Sequence, residues 1–443
     1  MVSTICIDPT LAEKLRPGVS LTVQKEDNSL SHHIIYNPRE GAERWQFMQA
    51  SVNVCFDIMR VFDDGWSFLF VRDVKILYEL RGKKFDSLTE LAQMVLGDAA
   101  IEKYKCLSVQ IKAHLTSYRL AKIDIGRYAE VSLIPHDLHY DFYKERAKLI
   151  LELYRRHCED NCVEVDAFYK AFYEHARILH AISSHSLKID TKVLEHHTGH
   201  HVKMINKCLY PDDNVWLRFH IVGAKTGRLA FKKGTINIYG WPKELRSCIV
   251  ADPQCNIVEF DFNAAQPRLA IFATSDEKFK DRFRDIKDVY SVFPGERKKN
   301  KIDFLAWMYG TNKNEMFERE APAIQQFRDE LYVQARNNGK VINKFGRVLF
   351  WSGEEKNVVL QNYVTSLEVD AILLIMNQVH KRLCMSKSRI LFPFHDALVC
   401  MIHDDEQDLV IQIKELMEET LKLQFDSLFP VEIKQGKNYG EMK

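Results

Sequence analysis

Apolar and polar positions alternate in two short segments of the C-terminal half, and each segment carries an aspartate near a strand end. In "IVEFDFNAAQPRLA" (257–270), apolar residues alternate as in a β-strand, and Asp261 stands among them. In "ILFPFHDALVCMI" (390–402), Asp396 stands where one apolar strand turns into another. A carboxylate beside buried strand positions is costly unless something positive meets it. The pattern therefore raises the question of what these two carboxylates bind.

The rest of the chain is patterned mainly for helices. Residues 52–80 have the pattern of strand, turn at 63–65, strand and helix, whereas the polar stretch 184–201 predicts a connector. Residues 276–338 are expected to be mostly helical, and "GKVINKFGRVLFWSG" (339–353) to form a hairpin. Further helices are expected at about 87–96 with Ser87 as N-cap, 137–156, 164–182 and 354–384.

Composition and charge do little to narrow the function. Of the 443 residues, 46% are hydrophobic and 28% charged, as in ordinary soluble globular proteins, and 62 Lys and Arg balance 61 Asp and Glu. A nucleic-acid binder of this composition has to gather its basic residues on one face. The ten cysteines are scattered and follow no apolar leader, which favours reduced thiols in the cytoplasm. No run of about 18 apolar residues is present, so no membrane span is expected.

The two aspartates could form one site. A hairpin strand beside a neighbouring strand could bring Asp261 and Asp396 together. Adjacent carboxylates repel each other unless divalent cations bridge them, and such hard oxygen ligands suit Mg²⁺. From the strand pattern alone, however, two surface or capping aspartates are the more frequent explanation.

A basic helix supplies the second signal. In "RKKNKIDFLAWMYG", the residues Arg297, Lys301, Leu305 and Tyr309 recur every four positions and so lie on one helical face. Two cations, an apolar residue and an aromatic in a row suit a triphosphate whose tail lies along the cations and whose base stacks near the ring. A basic helix that only touches solvent is the alternative.

These segments resemble, in order, the motifs of the family A (polymerase I-like) DNA polymerases. Motif A of that family resembles D-Y-S-Q-I-E-L-R, motif B resembles R-x3-K-x3-F-x3-YG and motif C resembles V-H-D-E. The matching segments here are "DFNAAQPR" (261–268), the row that begins at Arg297 and ends at Gly310, and "FHDA" (394–397). Three weaker elements agree, and the resemblance spans about 215–443: "TGRLAF" (226–231), "NGKVINKFGR" (338–347) and the closing "GKNYGEMK".

The resemblance implies a right-hand polymerase fold of the α/β (α+β) class with an antiparallel palm sheet. Palm and fingers would occupy 215–443, with helical fingers at about 270–355, after a reduced thumb or connector at 161–214 and an α/β domain at 1–160. The implied activity is DNA-directed DNA synthesis with two Mg²⁺ ions, and the implied partners are primer–template DNA and dNTPs. A small thumb implies a weak hold on DNA, which an accessory replication or processivity protein would offset.

The resemblance also assigns residues to the chemistry. Asp261 and Asp396 would hold two Mg²⁺ ions, with help from the backbone carbonyl of Phe262. Lys301 and Arg297 would neutralise charge that develops on the triphosphate. Tyr309 would guard the insertion site, which Gln266 and Leu305 would also line. Four residues would contact DNA: Arg228, Arg268, His395 and, in the minor groove, Gln361.

Three positions depart from the family's motifs. Gln266 replaces a glutamate whose bulk excludes the ribose 2′-hydroxyl, so sugar discrimination would survive in weakened form. Leu305 replaces an aromatic residue, and Ala397 removes a peripheral carboxylate of motif C. None of the three changes removes a predicted metal ligand or the key lysine.

The N-terminal half resembles a worn 3′–5′ exonuclease domain. That domain type has D-x-E at its first site and Y-x3-D at its last. Here Asp57 is followed by Ile58 and Met59, and Phe142 is followed four residues later by Arg146. Two carboxylates would be missing, so two-metal hydrolysis and proofreading would be lost. An unrelated accessory domain is the alternative.

The expected function is template-directed DNA synthesis in a compact, phage-type enzyme that acts in the cytoplasm of its host. One alternative is a relative repurposed for RNA or primer synthesis or for template-independent extension, which Gln266 and Leu305 keep open. A second alternative is a non-catalytic nucleic-acid-binding subunit. The joint presence of four predicted catalytic residues argues against it: Asp261, Asp396, Lys301 and Arg297.

Overall fold

The computed structural model describes residues 2–9, 19–25, 30–35, 53–56, 72–120, 135–220, 222, 224–232 and 235–442. They belong to two compact units, Met1–Tyr173 and Glu174–Lys443.

The N-terminal unit combines a mixed five-stranded sheet with helices. Its strand order is β3-β2-β1-β4-β5, in which β2 is antiparallel to both β1 and β3 while β4 runs parallel to β1 and β5. This architecture agrees with the predicted α/β class. The strands are β1 (Val2–Pro9), β2 (Val19–Lys25), β3 (Leu30–Ile35), β4 (Asn53–Cys55) and β5 (Arg72–Asp73), and the helices are α1 (Val74–Leu80), α2 (Leu88–Leu96), α3 (Asp98–Leu120), α4 (His136–Glu159) and α5 (Val163–Ser183), the last of which continues into the second unit.

Helices pack apolar side chains into the core of this unit. Helix α2 begins as predicted, since the Ser87 side chain accepts a hydrogen bond from the Glu90 backbone N–H at 3.2 Å. Arg146 lies on α4 and donates to the Tyr104 hydroxyl at 3.2 Å. A cation therefore stands where the resembled exonuclease motif has a carboxylate. The other segment of that prediction, with Asp57, lies outside the described residues.

The C-terminal unit is built around a four-stranded antiparallel sheet with the order β14-β15-β11-β16. Its strands are β6 (Ser186–Ile189), β7 (Asn214–Trp216), β8 (Phe219–His220), β9 (Ala230–Phe231), β10 (Ile249–Val250), β11 (Cys255–Phe262), β12 (Lys340–Ile342), β13 (Val348–Phe350), β14 (Arg389–Phe394), β15 (Ala397–His403) and β16 (Val431–Gly436). Its helices are α6 (Thr191–Glu195), α7 (His200–Cys208), α8 (Lys243–Arg246), α9 (Ala265–Ala273), α10 (Glu277–Asp281), α11 (Arg297–Met308), α12 (Glu315–Glu320), α13 (Pro322–Asn338), α14 (Lys356–Leu383) and α15 (Asp408–Phe425).

The long helices, the 339–353 hairpin and the strand–turn–strand at Asp396 are found where the pattern predicts them. The stretch 184–201, predicted to be a connector, contains regular secondary structure that the pattern did not indicate. This stretch contains β6, which pairs with β7 and β10, and also the short helix α6. The strand is only four residues long, with two buried side chains, which is too short for a periodic signal.

Helix α14 is the central helix of this unit. It is 28 residues long, and among the described residues it alone is long and apolar enough to cross a membrane. However, 78% of its apolar window is buried inside the unit, where it packs on α9, α13, α15 and β14. Burial against protein on most sides accounts for its hydrophobicity.

A buried ion pair joins α14 to the hairpin that precedes it. Arg347 donates to both carboxylate oxygens of Asp370 on α14, the shortest contact being 2.6 Å, and both side chains are at most 3% exposed. Asn343 donates to the same carboxylate at 2.7 Å. The turn at Gly227 packs directly on the Arg347 guanidinium. A Cβ there would overlap the guanidinium carbon, and φ is +83°, so only glycine fits.

We expect Asp370→Ala to lower the free energy of unfolding by about 3–5 kcal/mol, because it leaves the buried Arg347 charge without its carboxylate. Asp405→Ala is the matched control. Asp405 pairs with Lys387 at 2.9 Å in an exposed pair, and such pairs contribute about 0–1 kcal/mol. Urea unfolding of the full chain measures both, and equal losses in the two variants would contradict the buried-pair account.

Candidate active site

The palm-like sheet brings the two predicted aspartates together. Strands β11 and β15 are antiparallel neighbours, and Asp261 on β11 lies directly opposite Ala397, the residue after Asp396. Neighbouring strands are about 4.8 Å apart, so the two carboxylates lie within reach of one small ligand. Burial raises the pKa of Asp396, and the charges of Glu368 and of the nearby Asp261 add to this rise.

Both aspartates stand next to a left-handed turn that no glycine provides. Ala264, which follows Asp261 by three residues, has φ +56° and ψ +47° and starts helix α9. His395 directly precedes Asp396 and has φ +56° in the two-residue turn between β14 and β15. Non-glycine residues in this region are uncommon and store strain, which is often found at functional sites. Each turn ends its strand, so both aspartates lie at the same end of the two neighbouring strands.

A lysine is the nearest positive partner of Asp261. The Lys434 ammonium lies 3.6 Å from the Asp261 carboxylate and donates to Glu259 at 2.8 Å. Burial raises the pKa of Asp261 above its usual value, the Lys434 charge opposes this, and the charges of Glu259 and Glu432 add to it. One lysine thus neutralises only part of a cluster of three carboxylates.

The C-terminal segment completes this side of the sheet. Strand β16 pairs with β11 and places Glu432 opposite Asp261. Beyond it, the Tyr439 hydroxyl donates to the second oxygen of Glu259 at 3.0 Å. The closing segment around Tyr439 therefore packs against the strand that carries Asp261.

The environment of Asp396 is strongly unfavourable to its negative charge. Burial, followed by the charges of Glu368 and Asp261, raises the pKa of Asp396 to about 7. A carboxylate that is half neutral at physiological pH favours a cation as its partner.

Glu368 is a third carboxylate of this site, and the motif comparison does not include it. It lies on α14, is 3% exposed, and accepts hydrogen bonds from Arg228 at 3.1 Å and from the Gln266 amide at 3.0 Å. The carbonyl of the same amide accepts from the Tyr309 hydroxyl at 2.7 Å. The sequence does carry a signal for Glu368, because an acid in the middle of a long apolar helix requires a polar partner.

The basic row lies on α11 as predicted, with its cations exposed. Arg297 forms an ion pair with Asp288. This contact raises the pKa of the Arg297 guanidinium, and the charge of Glu432 adds to the rise. Lys301 is exposed, and Leu305 is half-buried. The row ends at Tyr309, which caps the C-terminus of the helix.

Tyr309 connects this helix through Gln266 to α9, the helix that follows the strand of Asp261. Burial raises the pKa of its hydroxyl well above the usual value, so it stays protonated and donates. The next residue, Gly310, has φ +75°, and a Cβ there would overlap the Asn357 side chain. The chain can therefore turn sharply against the first turn of α14.

The predicted DNA contact of Arg268 does not fit its position. Its side chain is fully buried on α9, and burial lowers the pKa of its guanidinium to about 10. The guanidinium donates to four backbone carbonyls at 2.7–3.0 Å, those of Asn263, Leu428, Ile286 and Lys287. Arg268 instead braces the left-handed turn after Asp261. The presence of arginine in the motif could not by itself distinguish a structural role from contact with DNA.

Two of the other predicted DNA residues lie at a cavity of about 60 Å³. Arg228, Tyr239, Glu368 and His395 are among the residues that line it. Burial and the charges of Arg228 and Arg246 lower the pKa of His395, so its ring is neutral at pH 7. Gln361 is exposed on α14, seven residues before Glu368 and so on the same side of the helix.

The two aspartates are the residues that would hold a divalent cation, because carboxylate oxygens are the ligands that such ions prefer. No group of three or more His, Cys, Asp or Glu side chains among the described residues could hold a metal ion. The observation in favour of the two aspartates is electrostatic: both carboxylates are partly buried, burial raises the pKa of each, and the charge of Asp261 adds to the rise at Asp396. The Phe262 side chain is buried, and its backbone lies beside Asp261 at the end of β11.

In metal-free solution, Asp396 should make stability fall as the pH rises from about 4 to 7. An unfolded aspartate has a pKa of about 3.9, whereas the folded pKa is about 7. In this interval the folded state binds the extra proton, so the free energy of unfolding declines with pH, by at most about 4 kcal/mol. Urea unfolding in EDTA at pH 5 and pH 8 measures the effect. Asp396→Asn should gain on the wild type only at pH 8.

Mg²⁺ at pH 8 should raise the Tm of the wild type but not that of Asp396→Asn, because the cation binds the ionised pair. Asp408→Asn, at the exposed start of α15, serves as the control and should respond as the wild type does. An equal response of Asp396→Asn to Mg²⁺ would rule out this site.

Comparison with known proteins identifies the fold. No protein-family model matches the sequence, and no curated protein matches it. Among solved structures, the chain is similar to the POL domain of Pol1 from M. smegmatis in complex with DNA primer-template and dNTP. The TM-score is 0.72 at 12% identity, and the match covers 99% of this chain and 96% of that chain. The predicted fold class is therefore confirmed, and this chain has the fold of a DNA polymerase domain.

Proposed function

We propose that this chain is a DNA-directed DNA polymerase that extends a primer 3′-hydroxyl with dNTPs, using two Mg²⁺ ions. The observation that carries the proposal is the placement of Asp261 and Asp396 on adjacent strands, in a fold shared with a polymerase domain. Two carboxylates at one sheet edge are the ligand set that two-metal nucleotidyl transfer requires.

Asp261, Asp396 and the carbonyl of Phe262 would hold the metal ions. When bound, such ions activate the attacking hydroxyl and screen the leaving pyrophosphate. The protein's own contribution is to keep the ligands fixed before the metals arrive. The sheet register sets the spacing of the carboxylates, and Arg268 holds the turn after Asp261 through four carbonyl contacts.

Helix α11 would bind the triphosphate. Arg297 and Lys301 lie one turn apart on one face, both exposed, and Arg297 already senses the acidic end of the sheet through Glu432. Preorganised cations stabilise charge that develops on the transferred phosphoryl group and its leaving group. Leu305 and Tyr309, further along the same face, would contact the sugar and base.

The exposed side of the site would receive the primer–template duplex. Arg228, with 45% of its side chain exposed, and the neutral His395 would contact the primer end, and Gln361 would face the minor groove. In the N-terminal unit, Arg146 stands in place of a carboxylate of the resembled exonuclease motif. We therefore propose a polymerase without proofreading.

A second candidate function is synthesis with ribonucleotides, as in a primase-like or other nucleotidyl transferase. The observation that favours it is the neutral amide of Gln266 beside Tyr309, where the resembled motif has a glutamate. Offering dNTPs and NTPs separately distinguishes the two functions.

We expect Asp261→Ala to abolish extension of a labelled primer, with a loss on the order of 10³-fold or more, since a metal ligand is removed. The assay uses a primer–template with Mg²⁺ and either dNTPs or NTPs. Asp408→Asn is the matched acid control and should extend normally. If the wild type binds the duplex but extends with neither nucleotide, the polymerase proposal fails in favour of a binding subunit.

Lys301→Ala should lower kcat/KM for dNTPs by about 10²–10³-fold, because an exposed cation aimed at the triphosphate is lost. Lys299→Ala removes an exposed charge from the same helix on a different face and should change kcat/KM by less than about threefold. Steady-state single-nucleotide insertion measures both variants. Similar losses in both would mean that α11 acts only through its overall charge.

A further inference from the structure

The Glu368 carboxylate is the meeting point of three segments that surround the aspartates. One of its oxygens accepts from Arg228, in the turn after Gly227, and from Gln266, on α9. Gln266 in turn accepts from Tyr309, at the end of α11. A single buried acid on α14 therefore connects the turn, the helix after Asp261 and the basic helix.

The chemistry of Glu368 fixes which way the Gln266 amide points. An ionised carboxylate only accepts hydrogen bonds. Burial raises the pKa of Glu368, and the contacts with Arg228 and the Gln266 amide oppose this rise and favour the ionised form. The NH₂ group of Gln266 must therefore face Glu368. Its carbonyl oxygen then faces Tyr309, whose hydroxyl has to donate.

The same contact explains why position 266 carries an amide. A glutamate there would place a second carboxylate about 3 Å from Glu368, with Asp396 also nearby, and like charges at that distance repel strongly. Glutamine keeps the size of glutamate and supplies the donor that Glu368 needs. Glu368 thus accounts for the presence of glutamine at position 266, where the motif that this segment resembles has glutamate.

We propose that Glu368 is a positioning residue. It forms a matched acid–amide pair with Gln266 and through that pair sets the position of Tyr309 at the nucleotide site. The role of Tyr309 in nucleotide binding rests on the proposed polymerase function, whereas the pairing itself rests on the contacts alone.

Exchange of the two groups tests the pairing. Gln266→Glu brings two carboxylates together, and Glu368→Gln leaves two amides without a defined orientation. The double variant again has one acid and one amide. Its carboxylate, now at position 266, accepts from Tyr309 and from the amide at position 368, and the carbonyl of that amide accepts from Arg228. Such a double-mutant cycle isolates the interaction between neighbouring positions.

Two measurements are made on all four proteins: the Tm, which requires no activity, and the KM and kcat for dNTP in primer extension. We expect Gln266→Glu to lower the Tm and to raise KM about tenfold with a smaller change in kcat. We expect Glu368→Gln to have a weaker effect of the same kind. The double variant should recover the Tm of the wild type and a KM within about twofold of it. Glu415→Gln, an exposed acid on α15, should change neither.

The Tm and KM of the double variant test the pairing and the positioning role separately. A double variant no better than Gln266→Glu in Tm and KM overturns the pairing. Recovery of Tm without recovery of KM overturns the positioning role, since Glu368 would then be only structural. If Gln266→Glu fails to fold, folding of the double variant supports the pairing, and its failure to fold overturns it.

Failure of the underlying function gives a different result. If the wild type extends no primer while the Tm values still show recovery in the double variant, then the polymerase proposal is wrong and the acid–amide pair stands.

Discussion

The structure of the C-terminal unit depends on keeping two carboxylates close together although they repel each other. Asp261 and Asp396 are held by the antiparallel register of β11 and β15, which backbone hydrogen bonds fix independently of charge. Burial raises the pKa of both groups, and neighbouring carboxylates add to the rise at each. A cation would stabilise a fold that concentrates negative charge in this way, and the sheet supplies the rigidity that such a site would need.

Two arginines around this site have different roles, although the motifs predicted a DNA contact for both. Arg268 donates hydrogen bonds to backbone carbonyls and holds the local backbone in place. Arg228 is half exposed and forms an ion pair with the buried Glu368. Burial decides the difference. Four of the five N–H donors of Arg268 are bound to carbonyls, and its guanidinium is fully buried, so it is not presented to a ligand.

Local patterns in the sequence were sufficient for the main elements and for the two aspartates. Alternation marks β11, the turn in "FHDA" marks the hairpin, and the four-residue spacing marks the exposed face of α11. The network of Glu368, Gln266 and Tyr309 spans positions more than 40 residues apart and follows no period, so only the fold could reveal it. The four-residue strand β6 was missed because its identity comes from its partners rather than from its own residues.

Helix α14 carries Glu368 and Asp370 two residues apart, on sides that face different partners. Asp370 holds Arg347, on which Gly227 packs, and the residue after Gly227 is Arg228, which returns to Glu368. The chain thus forms a closed loop of contacts that starts and ends on one turn of one helix. Core stability and site geometry are therefore inseparable here, and attempts to raise thermostability through the Arg347–Asp370 pair will also shift the residues around Asp396.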